Sequence, residues 1–182
     1  LYRIDSSRHP IVPLAKVSAA PAHLLVDSEV DGIARRVNLA LQSTDGRTTV
    51  PALSLAMLEA GGDFRATWSE TPSLELKGPD NLSYSVPIDS RGRAIINYRY
   101  VPGQTDSVVP SHIISFQQLY DTVVQFSEDK PDAREQLEEG FRGKYVVFGP
   151  SAQDVGDRSP LPTVHEAPMM YTHINALDNL LE

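Results

Sequence analysis

Residues able to do chemistry gather late in the sequence, just past an apolar run. The stretch "GKYVVFGPSAQDVGD", residues 143–157, carries Tyr145-Val146-Val147-Phe148, breaks at Gly149-Pro150, and then presents Ser151, Asp154 and Asp157. His165 and His173 follow. Serine, imidazole and carboxylate are the parts of an acyl-transfer triad. A hydrolase elbow also needs Gly-x-Ser-x-Gly on a tight strand-to-helix turn. Gln153 stands where the second glycine belongs. Phosphate binding calls for several free backbone N–H groups at a helix start. Gly149 and Gly156 lack the Walker spacing, and Pro150 removes a donor. Asp154, Asp157, His165 and His173 include metal-ligand types, yet neither His-x-x-x-His nor the alternating acids of a calcium loop is present. The remaining reading is structural: polar side chains just past a strand accept hydrogen bonds from turn N–H groups. We therefore expect no catalytic residue, no metal and no cofactor. The alternative is a small α/β hydrolase or phosphate-handling enzyme using the Ser151 loop.

Two other polar clusters have a functional and a structural reading. Tyr98-Arg99-Tyr100 would either line a pocket or form strand surface with the arginine stacked on a ring. Arg35-Arg36, just past Asp31-Gly32, reads as a salt-bridged, solvated strand.

Several elements must position these residues. Residues 11–17, "IVPLAKV", suit a short strand, and the period of two across Ile33–Leu41 predicts another. Asp31-Gly32 is a turn signal, so a hairpin is expected between Leu24–Val26 and Ile33–Leu41. "VPALSLAMLEAGG" predicts a helix with Pro51 in its first turn and Gly61-Gly62 as a left-handed end. "SLELK", "LSYSVPI" and "AIINYRY" predict antiparallel strands separated by the turn formers "GPDN" and "DSRGR". "SFQQLYDTVVQF" predicts a helix with a Ser115/Gln118 capping box, and "DAREQLEEGF" a short acidic one. "KYVVFG" has the apolar character of a buried strand. Residues 149–170, with four prolines, read as a long loop. Met170, Ile174, Leu177 and Leu181 share one face of a closing helix. The fold class expected is α/β, a layered mixed sheet with helices packed on it, forming a single domain over residues 1–182.

Composition narrows the function. Sixteen basic residues against 24 acidic give a formal charge of −8, and the basic residues are scattered. Nucleic acid and anionic membrane surfaces reward clustered Lys and Arg, so neither is an expected partner. The absence of cysteine removes disulfides, thiolate zinc sites and cysteine nucleophiles. No apolar run approaches the ~20 residues of a membrane span. A first residue Leu1 suggests a piece of a longer chain.

Taken in order, "DSEVDGIARRV", "VPALSLAML", "IDSRGRAIINYRY", "ISFQQLYD", "FRGKYVVFGPSAQDVGDRSPLP" and "THINALDNLL" resemble the successive motifs of one family. It is the extracellular sensory domain associated with cyclases and histidine kinases, CHASE type 2. The similarity runs from about residue 24 to 181, with departures near the long loop. Ala167-Pro168-Met169-Met170-Tyr171 stands in place of Met-Pro-Gly-Val-Glu, and His173-Ile174-Asn175 in place of His-Ala-Asn. The resemblance implies the carboxy-terminal part of an extracytoplasmic, ligand-sensing domain of a bacterial transmembrane receptor. Its output would be a cyclase, histidine kinase or protein kinase, and its membrane anchors would lie outside this chain. It implies a sheet lacking the family's amino-terminal strands, or one completed by a partner chain, which leaves room for a homodimer. The expected partner is a small-molecule ligand or a periplasmic protein. The candidate ligand residues are Ser151, Asp157, His173 and Asn175, facing a shared cleft.

Overall fold

A computed structural model of the protein describes residues 2–4, 16, 18–19, 21–62, 64–69, 72–100, 113–127, 135, 138–151 and 157–182. The chain forms two compact units, one of Leu1–Val108 with Gly149–Glu182 and one of Val109–Phe148.

In the larger unit, β1 (Tyr2–Ile4) pairs in parallel with β3 (Ala40–Ser43), which pairs antiparallel with β4 (Thr49–Pro51). β2 (Arg36–Asn38) pairs antiparallel with β8 (Arg93–Ile95), setting Val37 opposite Ala94. β5 (Arg65–Trp68), β6 (Ser73–Lys77) and β7 (Ser83–Pro87) make an antiparallel meander. β9 (Arg158–Leu161) and β10 (Val164–Pro168) form a two-stranded ribbon with a register shift between Val164 and Ala167. Helices α1 (Leu53–Gly61) and α3 (Met170–Leu181) close the core. Leu55 and Leu58 of α1 meet Ala176, Leu177 and Leu180 of α3, Leu74 and Leu76 of β6, Val37 of β2 and Ala94 of β8. The class is α/β, with its strands divided among small sheets.

Local sequence explains much of this. The Asp89–Arg93 turn is held by Gly92 N–H on the Asp89 carbonyl at 2.9 Å and Asp89 N–H on the Arg93 carbonyl at 2.9 Å. Gly92 sits at φ 78°, where a Cβ is disfavoured. The Asp89 carboxylate accepts the N–H groups of Arg91 (2.9 Å) and Arg93 (3.0 Å), as an aspartate opening a turn is suited to do. The Glu29–Ile33 turn repeats the design, with Gly32 in the fourth position. Glu29 pairs with both Arg35 and Arg36, and Asp31 with Arg35, which is the solvated ion-pair reading of those arginines.

Several expectations are corrected. Leu24–Val26 forms no strand, and the expected hairpin with Ile33–Leu41 does not close. His23 instead bridges Ala52, and the 33–41 strand breaks at Leu39 so that its halves take different partners. Pro51 ends β4 rather than opening α1, and Gly62 is extended (φ −145°), not left-handed. The strand expected over 94–100 stops at Ile95. Prolines made 149–170 read as loop, yet β9 and β10 form there, because a ribbon strand has only one paired edge and tolerates a missing N–H. Leu181 is 46% exposed, whereas Thr172, His173 and Asn175 are buried, so α3 turns a partly polar face inward.

In the smaller unit, α2 (Phe116–Ser127) has the expected capping box: Gln118 N–H donates to Ser115 Oγ at 3.1 Å, and Ser115 N–H to Gln118 Oε1 at 2.9 Å. Residues 138–141 are helical. Tyr145–Phe148, expected as a buried strand, pairs with no strand among the described residues, and Phe148 is 80% exposed. An apolar run favours a strand, but burial needs a partner, and here Phe148 meets only the edge of Phe116 at 5.7 Å among described ring pairs. Most of the 11–17 strand and half of the 132–141 helix lie outside the described residues.

Candidate functional site

The polar side chains of α3 converge on the extended segment 97–100 that leaves β8. This segment has no strand neighbour to receive its backbone groups, and buried backbone groups need partners. Asn175, wholly buried, supplies them. Its Oδ1 accepts the N–H of Arg99 at 2.9 Å and of Tyr100 at 2.8 Å. Its Nδ2 donates to the carbonyls of Tyr100 and Tyr171, each at 2.8 Å. One turn further on, Asn179 Oδ1 accepts Asn97 N–H at 2.7 Å, and its Nδ2 donates to the Asn97 carbonyl at 3.1 Å. Residues four apart on a helix share a face, so the two amides act together as a surrogate strand.

Side chains complete the clasp. Tyr98 donates its hydroxyl proton to, or accepts one from, Thr172 Oγ1 at 3.2 Å. Arg99 forms ion pairs with Asp178 at 3.3 Å and with Glu182. The Tyr100 and Tyr171 rings lie 5.3 Å apart. Burial, then the neighbouring Tyr100, pushes the Tyr171 phenol up to about 12, so it stays protonated. Tyr84 of β7 donates to the Leu180 carbonyl near the end of α3.

The candidate ligand residues separate in space. Asn175 is engaged on Tyr100, as above. His173 projects to the Leu24 carbonyl, with Nε2 at 3.4 Å from it. Asp157 lies close enough to His173 to favour its charged form, and its carbonyl accepts Met169 N–H at 3.0 Å. Ser151 is exposed, and its carbonyl receives Arg158 Nη1 at 3.3 Å. The structure thus brings Asp157 and His173 together. It gives Ser151 no imidazole partner among the described hydrogen bonds, and His165 is exposed on β10. Asp154 lies outside the described residues. Among the described residues no group of three His, Asp or Glu is placed to hold a metal ion, and no helix is long and apolar enough to cross a membrane. Gly149 approaches the Met170 side chain closely: an added Cβ would lie 2.8 Å from its sulfur, so Gly149 itself is fitted against the start of α3.

Sequence reading missed Asn97, Asn179 and Asp178. Their signal was two asparagines one helical turn apart, matched to a polar run after a strand with no visible partner.

The clasp joins "NYRY" and "THINALDNLL", which belong to two of the six stretches that carry the resemblance noted above. The sequence model of the family described as CHASE2 domain matches residues 6–182. The chain belongs to the CHASE2 domain family. This is a family of extracellular sensory domains, so the sensing role is a family property. No curated protein and no solved structure matches the chain. In this CHASE2 domain Asn175 and Asn179 of α3 hold the 97–100 backbone.

Proposed function

We propose that this chain is the extracytoplasmic sensing domain of a bacterial membrane receptor with a cyclase, histidine kinase or protein kinase output. The observation that supports this beyond family membership is the clasp. Through it α3 holds the end of the β region by polar contacts that can be exchanged, whereas Leu177 and Leu180 keep the helix anchored in the core. A bound ligand or a periplasmic partner acts by favouring one of two settings of α3, and it must bind those settings unequally to do so. The parent protein is tethered by segments outside this chain, and two copies of the domain side by side would couple their α3 helices.

The test uses the absence of cysteine from this chain, in a receptor whose cysteines elsewhere are replaced by serine. Ser90, exposed in the Asp89–Arg93 turn, is changed to cysteine in the full-length receptor. A membrane-impermeant maleimide is then applied to cells with the inner membrane intact. Labelling before lysis supports the extracytoplasmic placement. Labelling only after lysis contradicts it.

A further inference from the structure

We propose that this sensory domain takes acidification as its input: protonation of half-buried His23 and buried His173, which hold the Leu25 N–H and the Leu24 carbonyl, breaks those contacts and frees the 23–25 backbone from α3. The proposal rests on the sensory reading and names its stimulus.

Hydrogen-bond partners fix where the ring protons sit. His23 Nδ1 accepts Leu25 N–H at 3.2 Å, so the ring proton of His23 is on Nε2. His173 Nε2 faces the Leu24 carbonyl, so its ring proton is on Nε2 as well. A second proton therefore enters at Nδ1 in both rings. On His23 it evicts the Leu25 N–H. On His173 it arrives at a buried nitrogen that has no hydrogen-bond partner. Two positive rings then stand within electrostatic reach of each other, with His173 only 3% exposed and His23 half-buried. Like charges so placed repel, and the buried unpaired N–H adds to the cost.

The groups facing the pair from each packed element oppose this only in part. Asp27 on the same segment, the Asn38 backbone of β2, and Asp157 ahead of β9 all favour the charged forms. Asp27 is itself engaged by Asn38 Nδ2 at 3.0 Å. The residues on either side of His23 in space, Pro51 and Leu53, contribute backbone only: His23 N–H donates to the Pro51 carbonyl and Leu53 N–H to the His23 carbonyl. Burial prevails. It lowers His23 to about 4, with His173 adding to the effect, and it lowers His173 despite the Leu24 carbonyl and Asp157.

Both rings are neutral in the closed form, and a released histidine titrates at about 6.5. The opened form therefore binds more protons than the closed one below that pH. The closed-to-open ratio falls by up to about tenfold per pH unit per histidine there. The fall levels off once the pH drops below the closed-state value of each ring. Above pH 6.5 the pair contributes no pH dependence.

The experiment is a proton NMR titration of the chain from pH 8 to 3.5. The free-histidine value of about 6.5 is the reference, and exchange of the Leu25 amide is measured against that of Leu76 in β6 at each pH. The proposal expects His23 and His173 to titrate below that reference, and the Leu25-to-Leu76 exchange ratio to rise on acidification below it. His173→Gln, which keeps a donor toward Leu24 and cannot charge, should weaken that rise. Either ring titrating at the free-histidine value, or a flat ratio, would overturn it. If the glutamine variant does not fold, the wild-type titration decides alone. Low titration with a flat ratio defeats the acid input and leaves the sensory reading standing, whereas failed maleimide labelling defeats that reading whatever the histidines do.

Discussion

Asn175→Ala is the sharpest perturbation of the clasp. Asn175 makes four hydrogen bonds at 2.8–2.9 Å and is wholly buried. Alanine leaves the N–H groups of Arg99 and Tyr100 and the Tyr100 carbonyl without partners. A net hydrogen bond contributes about 1 kcal/mol, and a buried group left unpaired costs about 1–3 kcal/mol. Water entering the space vacated by the amide recovers some of this. The expected loss is therefore about 3–5 kcal/mol, a large share of the ~5–15 kcal/mol that holds a domain folded. In a chain of this size it corresponds to a melting temperature lowered by roughly 6–20 °C. The single tryptophan, Trp68 of β5, is packed against the core and reports unfolding in urea. Asn179→Ala is the control. Its two bonds are exposed, so it should cost only about 1 kcal/mol. If Asn175→Ala falls within 1 kcal/mol of wild type, or no further from it than Asn179→Ala, the amide does not hold the segment and the reasoning fails.

Other expectations follow from the same structure. Gly78→Ala would place a Cβ 2.6 Å from the Phe64 ring, which is pinned edge-on to Tyr84, so it should destabilise by about 1–3 kcal/mol in the same urea assay. Asp89→Ala removes contacts to Arg91 N–H, Arg93 N–H and Arg93 Nε, and should lower the thermal midpoint by roughly 2–8 °C for a loss of about 1–2 kcal/mol. Ser115→Ala should cost α2 about 1 kcal/mol, seen as faster amide exchange at Gln118 with no change in the Trp68 transition if the two units unfold separately. Replacing Arg99 by Met keeps the stem and removes the ion pairs; Asp178 and Glu182 then repel, and high salt should narrow the stability gap to wild type.

How much was legible in the sequence divides along a physical line. Elements fixed by near neighbours were readable. The Ser115/Gln118 box and the Asp-Gly and Asp-Ser-Arg-Gly turns follow from local capping and turn chemistry, and "SLELK" and the course of α1 and α3 from local propensity. Partners distant in sequence were not. Nothing near Leu24–Val26 shows that Arg36–Asn38 will pair with Arg93–Ile95 instead. The Tyr145–Phe148 run looked buried because hydropathy measures the side chains and not whether a neighbour exists. The inward face of α3 was misread for a related reason: Thr172, His173 and Asn175 rank as surface residues until the groups that satisfy them are known. Of the candidate ligand residues, Asp157 and His173 were expected near each other only as members of one cleft with Ser151 and Asn175, and the Asn175–Tyr100 contact was not expected.

The most direct measurement is amide hydrogen exchange at Arg99 and Tyr100. Neither residue lies in a strand, so protection there comes from the α3 side chain. The account predicts that both exchange as slowly as amides of β6 in the wild-type chain and lose that protection in Asn175→Ala. Rapid exchange at both positions in the wild type would contradict it.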